Sequence, residues 1–207
     1  IIILFFTMSL SYGQIKPVDI EIVRDAFGVP HIYGKTDADT AYGLAWVHSE
    51  DDFMTIQKAY LAGNQLLSSY LANDGIIVDF LTQFIESKKT VDELFSTLSD
   101  DFIKILEAYS QGINRYAELH PEEVLVKNLF PITPKKMLNY SFLQLFISNG
   151  ADQLVSKIIS NNTVDLSNLG INDDIQGSNT FAFNNNKTKN GETYLAINTH
   201  QPLDGPN

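Results

Sequence analysis

The stretch QGSNTFAFNNNKTKNGETYLAINTH, residues 176–200, holds two runs rich in apolar, aromatic and β-branched residues, 179–183 and 192–200, around a segment rich in Asn, Lys and Gly. Such runs bounded by turn residues mark strands, and the middle segment supplies a loop, so the stretch predicts two antiparallel strands. Gly177 and Ser178 stand just before the first strand. A serine at such a step is usually a turn residue, and no G-x-S-x-G elbow surrounds this one.

A chemical reading stands beside that structural one. Gly177 carries no Cβ, so the backbone tolerates the strained geometry in which the Ser178 hydroxyl reaches its own preceding carbonyl. Scission of the Gly177–Ser178 bond would leave Ser178 as an N-terminal residue. Its α-amino group, with an intrinsic pKa of about 7.7 to 8.0, could then take the hydroxyl proton, so that one residue supplies nucleophile and base. His200 ends the second strand, and an antiparallel pair returns it to the neighbourhood of Ser178. A strand-end histidine with no role is the structural alternative.

Upstream, residues 161–176 are dominated by Asn, Asp and Ser and read as an exposed linker, where chain scission is sterically easy. Residues 36–160 read as mainly helical. Thr36 with Asp39 resembles a capping box, and Ser49 with Asp52 repeats it, which predicts helices over 37–48 and 50–62. Phe53, Ile56, Gln57 and Tyr60 share a face of the second. Thr90 with Glu93 opens a short helix by the same logic. Ser99 caps a longer one with Phe102, Leu106, Tyr109, Ile113 and Tyr116 as its apolar stripe, stopped at His120-Pro121. Thr133 and Pro134 start a further helix, apolar enough to be largely buried, which Asn149-Gly150 interrupts before 152–160 resume it. Ahead of the helices, Val18, Ile20 and Ile22 alternate with Asp19 and Glu21, and Gly28 and Pro30 punctuate a turn, giving a hairpin-like start.

Composition narrows the function classes. The chain has 207 residues, enough to bury a core, and a formal net charge of −11 with no long basic run, which argues against nucleic acid as a partner. It has no cysteine, so disulfides, thiolate nucleophiles and a lipid-modified cysteine are excluded. The opening IIILFFTM followed by SLSYGQ is an apolar block with small residues after it, which reads as the remnant of a signal peptide over residues 1–13 and implies a periplasmic or secreted protein. No stretch resembles a membrane span or anchor. His31, His48, His120 and His200 share no metal-ligand spacing, and Asp51-Asp52 and Asp173-Asp174 lack the pattern of a calcium loop and read as solvated acids.

Two separated motifs resemble one family. VRDAFGVPHIYGKTDADTAYG, with Arg24, Asp25, Gly28, Val29, Pro30, His31, Ile32, Asp39 and Gly43, is similar to the opening of the penicillin acylase and acyl-homoserine-lactone acylase family. GSNTFAFNNNKTKNGETYLAINTHQP, from Gly177, is similar to its Gly-Ser-Asn, strand, Lys/Arg-Thr, Gly turn and Asn-x-His near a Pro. The two lie in the expected order with a helical stretch of suitable size between them.

The resemblance implies a secreted precursor of the N-terminal-nucleophile hydrolases, an α+β fold built as a four-layer αββα sandwich. Here it would comprise the mainly helical α-chain region, 14–160, a spacer, 161–177, and the start of the β chain, 178–207. The implied reaction is amide hydrolysis of a small N-acyl substrate through an acyl-enzyme on Ser178, after self-processing at Gly177–Ser178. His200 matches the position where lactone acylases carry a histidine and would help place the nucleophile. No cofactor is required; the resemblance allows a calcium ion with ligands mostly beyond residue 207. The oxyanion donors are likewise expected further on, and each missing donor removes about 2.7 to 4 kcal/mol of transition-state stabilisation, so residues 1–207 alone are expected to be inactive and to need the remainder of the β chain. Phe142 and Phe146 are candidates for the acyl pocket, though an aromatic stripe at helical spacing is more often core. The chain departs from the family in carrying His48-Ser49-Glu50-Asp51-Asp52 where Ala-x-Asp-Arg is usual. The competing reading is a secreted helical binding domain with a C-terminal hairpin and no catalysis.

Overall fold

The computed structural model describes residues 15–150 and 178–199. The described chain is mostly helical with two small sheets, and it divides into two compact units between Asp152 and Gln153. The first begins with the hairpin that the Gly28/Pro30 turn predicts, β1 (Glu21–Arg24) paired antiparallel with β2 (Pro30–Tyr33), Ile22 opposite Ile32. Val18 falls instead in a 3₁₀ turn, Pro17–Asp19, and is exposed, so the alternation begins two residues later than its sequence pattern suggests.

Helix α1 (Asp37–Gly63) opens on the predicted capping box: Asp39 N donates to Thr36 Oγ1 at 3.1 Å and Thr36 N to Asp39 Oδ2 at 3.0 Å. The expected second helix is its continuation across a kink at Asp52 (φ −157°, ψ 73°). Asp52, not Ser49, restarts it, because Thr55 N donates to Asp52 Oδ1 at 3.0 Å while the buried Ser49 hydroxyl donates back to Ala45 O at 2.8 Å. Both residues can serve as caps; Ser49 sits on the core face and has its partner one turn behind. Phe53, Gln57 and Tyr60 are buried as their shared face requires.

Close approaches at two glycines fix α1 against its neighbours. A Cβ at Gly43 would lie 2.6 Å from Ile32 Cγ2 and 3.1 Å from Ile20 Cγ2, so the hairpin rests directly on this helix. A Cβ at Gly112 would lie 2.6 Å from Tyr42 O, which brings α5 (Asp100–Leu119) against the first half of α1. Ser99 caps α5 as predicted, accepting from Phe102 N. Its stripe is buried from Leu106 to Tyr116, with Tyr109 partly covered, but Phe102 in the first turn is 42% exposed.

Between them the chain forms α2 (Ser68–Leu71), α3 (Asn73–Phe84) and α4 (Ser87–Leu94). Helix α4 starts three residues before Thr90, whose N–H already donates to Glu86 O at 2.9 Å; the left-handed Glu86 (φ 53°) makes the turn into it. Helix α5 stops at His120-Pro121 as expected, and two carboxamides hold the loop that follows. Gln57 accepts from Leu125 N at 2.8 Å and donates to Glu123 O at 3.0 Å; Asn114 accepts from Ile132 N at 2.7 Å and donates to Ile132 O at 2.8 Å. Helix α6 (Pro134–Ser148) begins with Thr133 as its cap and ends at Asn149, with Gly150 at φ 70°. Only Met137, Asn139 and Leu143 of its side chains are fully buried, while Leu145 is 63% exposed, so the expectation of a largely buried helix is not met. The continuation over 152–160 and the linker over 161–176 lie outside the described residues.

The second unit contains β3 (Ser178–Phe183) and β4 (Tyr194–Thr199), antiparallel as predicted, with β4 starting two residues later than the run over 192–200 suggests. A 3₁₀ turn at Asn185–Lys187 and Gly191 at φ 76° shape the connection.

Candidate functional site

Ser178 is the first residue of β3 and is exposed. The register sets it opposite Thr199, followed by Asn179 opposite Asn198 and Thr180 opposite Ile197. Strand β4 therefore ends one residue before His200. His200 and Gly177 both lie outside the described residues, as does any signal segment over 1–13. The titratable side chains of the described hairpin, Lys187, Lys189, Glu192 and Tyr194, belong to its loop end. With about 3.4 Å of rise per residue, five residues of β3 separate that end from Ser178 by roughly 17 Å. Among the described residues of this unit, then, no ionisable side chain lies beside Ser178.

Phe142 and Phe146 lie one turn apart on α6 and are half-buried. An open depression of about 610 Å³ on the same unit includes neither; it is lined by Gln65, Gln83, Glu86, Lys89 and Asp92. Lys88 and Glu93 line it too; of its charges Lys89 pairs with Glu86 at 2.9 Å and Asp92 with Lys135 at 2.6 Å, which lowers the Asp92 pKa.

The residues of the first motif are architectural in this structure. Arg24 donates to Gly28 O at 2.9 Å and pairs with Asp51 at 2.7 Å and Glu50 at 3.1 Å, tying the turn of the hairpin to the kink of α1. Asp51 and then Glu50 hold the guanidinium more firmly protonated still. Asp25 accepts from Phe27 N at 2.8 Å and Val29 N at 3.0 Å and faces His31 at 3.4 Å, an Asx-type turn around Gly28 at φ 83° that keeps the carboxyl below its ordinary value. Asp51 and Asp52 are solvent-exposed as expected, and each also has a partner: Asp51 binds Arg24 and Asp52 caps the second half of α1. The unusual acidic run Glu50-Asp51-Asp52 was the signal, since it offers carboxylates to an exposed strand arginine.

Two further groupings come from the structure. His48 Nδ1 lies 2.9 Å from Tyr109 Oη across α1 and α5, and burial by its neighbours lowers the imidazole's pKa. Burial also raises Tyr109 and Tyr140 to about 12. His120, Glu122 and Glu123 bring three potential ligand atoms within 4.8 Å of one another, with Tyr116 stacked on His120 at 4.3 Å. Their spacing in the turn after α5 is compact, but all three side chains are open to solvent.

The comparisons with known proteins agree with one another. The chain is 25% identical over 177 residues to penicillin G acylase of Escherichia coli, covering 80% of this chain and 20% of that protein. It is 30% identical over 98 residues to the acyl-homoserine lactone acylase QuiP of Pseudomonas fluorescens, covering 47% of this chain and 12% of that protein. It thus spans about a fifth or less of the length of these curated relatives. Among solved structures, a thermostable penicillin G acylase from Alcaligenes faecalis matches in fold with a TM-score of 0.52 at 18% identity, over 73% of this chain and 80% of that one. The penicillin amidase family model matches residues 19–207, from the first hairpin through both sides of the Gly177–Ser178 step, and the chain belongs to that family.

Proposed function

We propose that this chain contributes the α-chain region and the beginning of the β chain of a self-processing acylase, an amidohydrolase that cleaves a small N-acyl amide. The observation that carries the reading is the placement of Ser178. It begins a strand directly after Gly177, at the open end of a hairpin, inside a continuous match to the penicillin amidase family.

In this reading Ser178 Oγ attacks Gly177 C, the peptide bond shifts to an ester, and water cleaves the ester to leave a carboxylate on Gly177 and a free amine on Ser178. The mature Ser178 then attacks the substrate carbonyl, its amine takes the hydroxyl proton and returns it to the leaving amine, and water hydrolyses the acyl-enzyme to the carboxylic acid. His200, next after the residue paired with Ser178, orients that amine. Homoserine lactones and penicillin-like β-lactams carrying an acyl amide are the substrate classes, and Phe142 and Phe146 contribute to the acyl pocket.

The hairpin supports the sandwich as its finished context. Its pairs alternate between two faces, and each is apolar: Ile197, Ala182 and Leu195 on one, Phe181, Ala196, Phe183 and Tyr194 on the other. A sheet with two apolar faces belongs between two layers, as in αββα packing. The remainder of the β chain supplies those layers, the oxyanion donors and any calcium ligands. Residues 1–13 direct export and 161–177 form the spacer. The binding-domain alternative accounts for the helices but not for the family match across Gly177–Ser178.

Intact-mass measurement on the full gene product tests the reading. Two chains are expected, the second beginning at Ser178, and Ser178→Ala should remain single; a wild-type protein that hydrolyses acyl amides with the Gly177–Ser178 bond uncut would overturn it.

A further inference from the structure

Within the β3–β4 hairpin, almost nothing apolar distinguishes one register from another. A slip of two residues would set Phe181 opposite Tyr194 and Thr180 opposite Leu195, keeping apolar contacts on both faces and costing apolar partners only at the loop end, where Phe183 would meet Glu192 and Ala182 would meet Thr193. A slip of one exchanges faces that are both apolar, so it too escapes the usual penalty of turning a hydrophobic set toward water. The connection runs from Asn184 to Thr193 as a long loop rather than a two-residue turn, so turn geometry does not pin the register either.

One feature does differ between registers. Asn179 and Asn198 stand directly opposite each other, one step in from Ser178 and Thr199. A carboxamide is both donor and acceptor, so two asparagines are self-complementary, whereas a two-residue slip would put Asn179 opposite Ala196. We propose that Asn179 and Asn198 form a register lock, a positioning pair whose role is to hold Ser178 opposite Thr199. A two-residue slip would move Ser178 by about 7 Å along β4, far beyond the tolerance of a reacting group. The consequence for catalysis rests on the acylase reading; the lock itself does not.

Residues 1–207 hold no cysteine, so once any cysteine beyond residue 207 is replaced by serine an introduced pair reports register without interference. In the full gene product, Thr180→Cys with Ile197→Cys probes the native register and Thr180→Cys with Leu195→Cys the slipped one, since diagonal positions are roughly 7 to 8 Å apart and too far to bridge. Adding Asn198→Leu should raise slipped-pair cross-linking by about fivefold, the upper end of what one cross-strand pair contributes. In the cysteine-free protein the same change should lower kcat several-fold with KM within about twofold, and Asn179→Thr with Asn198→Thr, which restores a hydrogen-bonding pair, should recover most of the loss. Slipped cross-linking that stays at the wild-type level in Asn198→Leu overturns the lock. Cross-linking that shifts in a protein with no acylase activity supports the lock and sinks the acylase reading instead.

Discussion

Glu107 shows what a single side chain does when its surroundings disagree with its charge. Its Oε2 is closed off from solvent and accepts no hydrogen bond from the described residues, and burial raises its pKa. A carboxyl whose folded pKa lies above its unfolded value binds protons more readily in the folded state. Its contribution is therefore fully present below about pH 4.3 and is lost as pH rises through the folded pKa. At pH 7 the ionised form is a liability, so Glu107→Gln should stabilise the chain by up to about 1 kcal/mol there and flatten the dependence of the urea midpoint on pH between 4 and 7. An unchanged midpoint at pH 7 would mean that Glu107 is solvated after all. Exposed Asp19 and Asp25 have lowered values, from Lys35 and from the backbone N–H of Phe27 respectively, and act in the opposite sense, losing their contribution as pH falls. At the same scale, Thr36→Ala removes the acceptor for Asp39 N and should lower stability by about 1 kcal/mol in denaturant titration.

Elements were legible where a local rule acted alone. The caps at Thr36, Ser99 and Thr133 and the stop at His120-Pro121 each follow from one side chain or one ring acting on nearby backbone, and all four stand in the structure. Ser49 and Asp52 failed as a pair because both can cap, and only tertiary burial of Ser49 decides between them. Helices α2 and α3 carried no start signal to read: α3 follows Ala72 at a positive φ of 50°, and the N–H groups at the start of α2, Leu67 N and Ser68 N, are satisfied by the Asp79 carboxylate from within α3. Long-range polar contacts are equally silent in sequence. Gln57 looked like one member of an apolar face, yet it is the support of the loop after α5. Gln57→Leu strands both Leu125 N and Glu123 O and should destabilise the chain by about 1 to 3 kcal/mol, with faster amide exchange over 121–130 than elsewhere. Equal acceleration throughout would show that the loop does not depend on this side chain.

At the scale of the molecule, the strands around Ser178 were readable from two apolar-rich runs on either side of a turn-rich loop, and the register then followed from the structure. What those runs do not reveal is that both apolar faces are exposed: Phe181, Phe183, Tyr194, Leu195 and Ile197 are each at least 49% exposed. A two-stranded ribbon is marginal in water by itself, whereas the helical unit has buried side chains such as Ala45, Leu61, Ile113 and Leu143 at its centre. The two units should accordingly separate in hydrogen exchange of the 207-residue chain. Amides of α1 and α5 are expected to exchange only through global opening, while those of β3 and β4 exchange through local opening, at least about a hundredfold faster, because a difference near 3 kcal/mol is ample for that ratio. Protection of β3 equal to that of α5 would show instead that its apolar faces are covered within residues 1–207, and the case for layers supplied by further chain would fall with it.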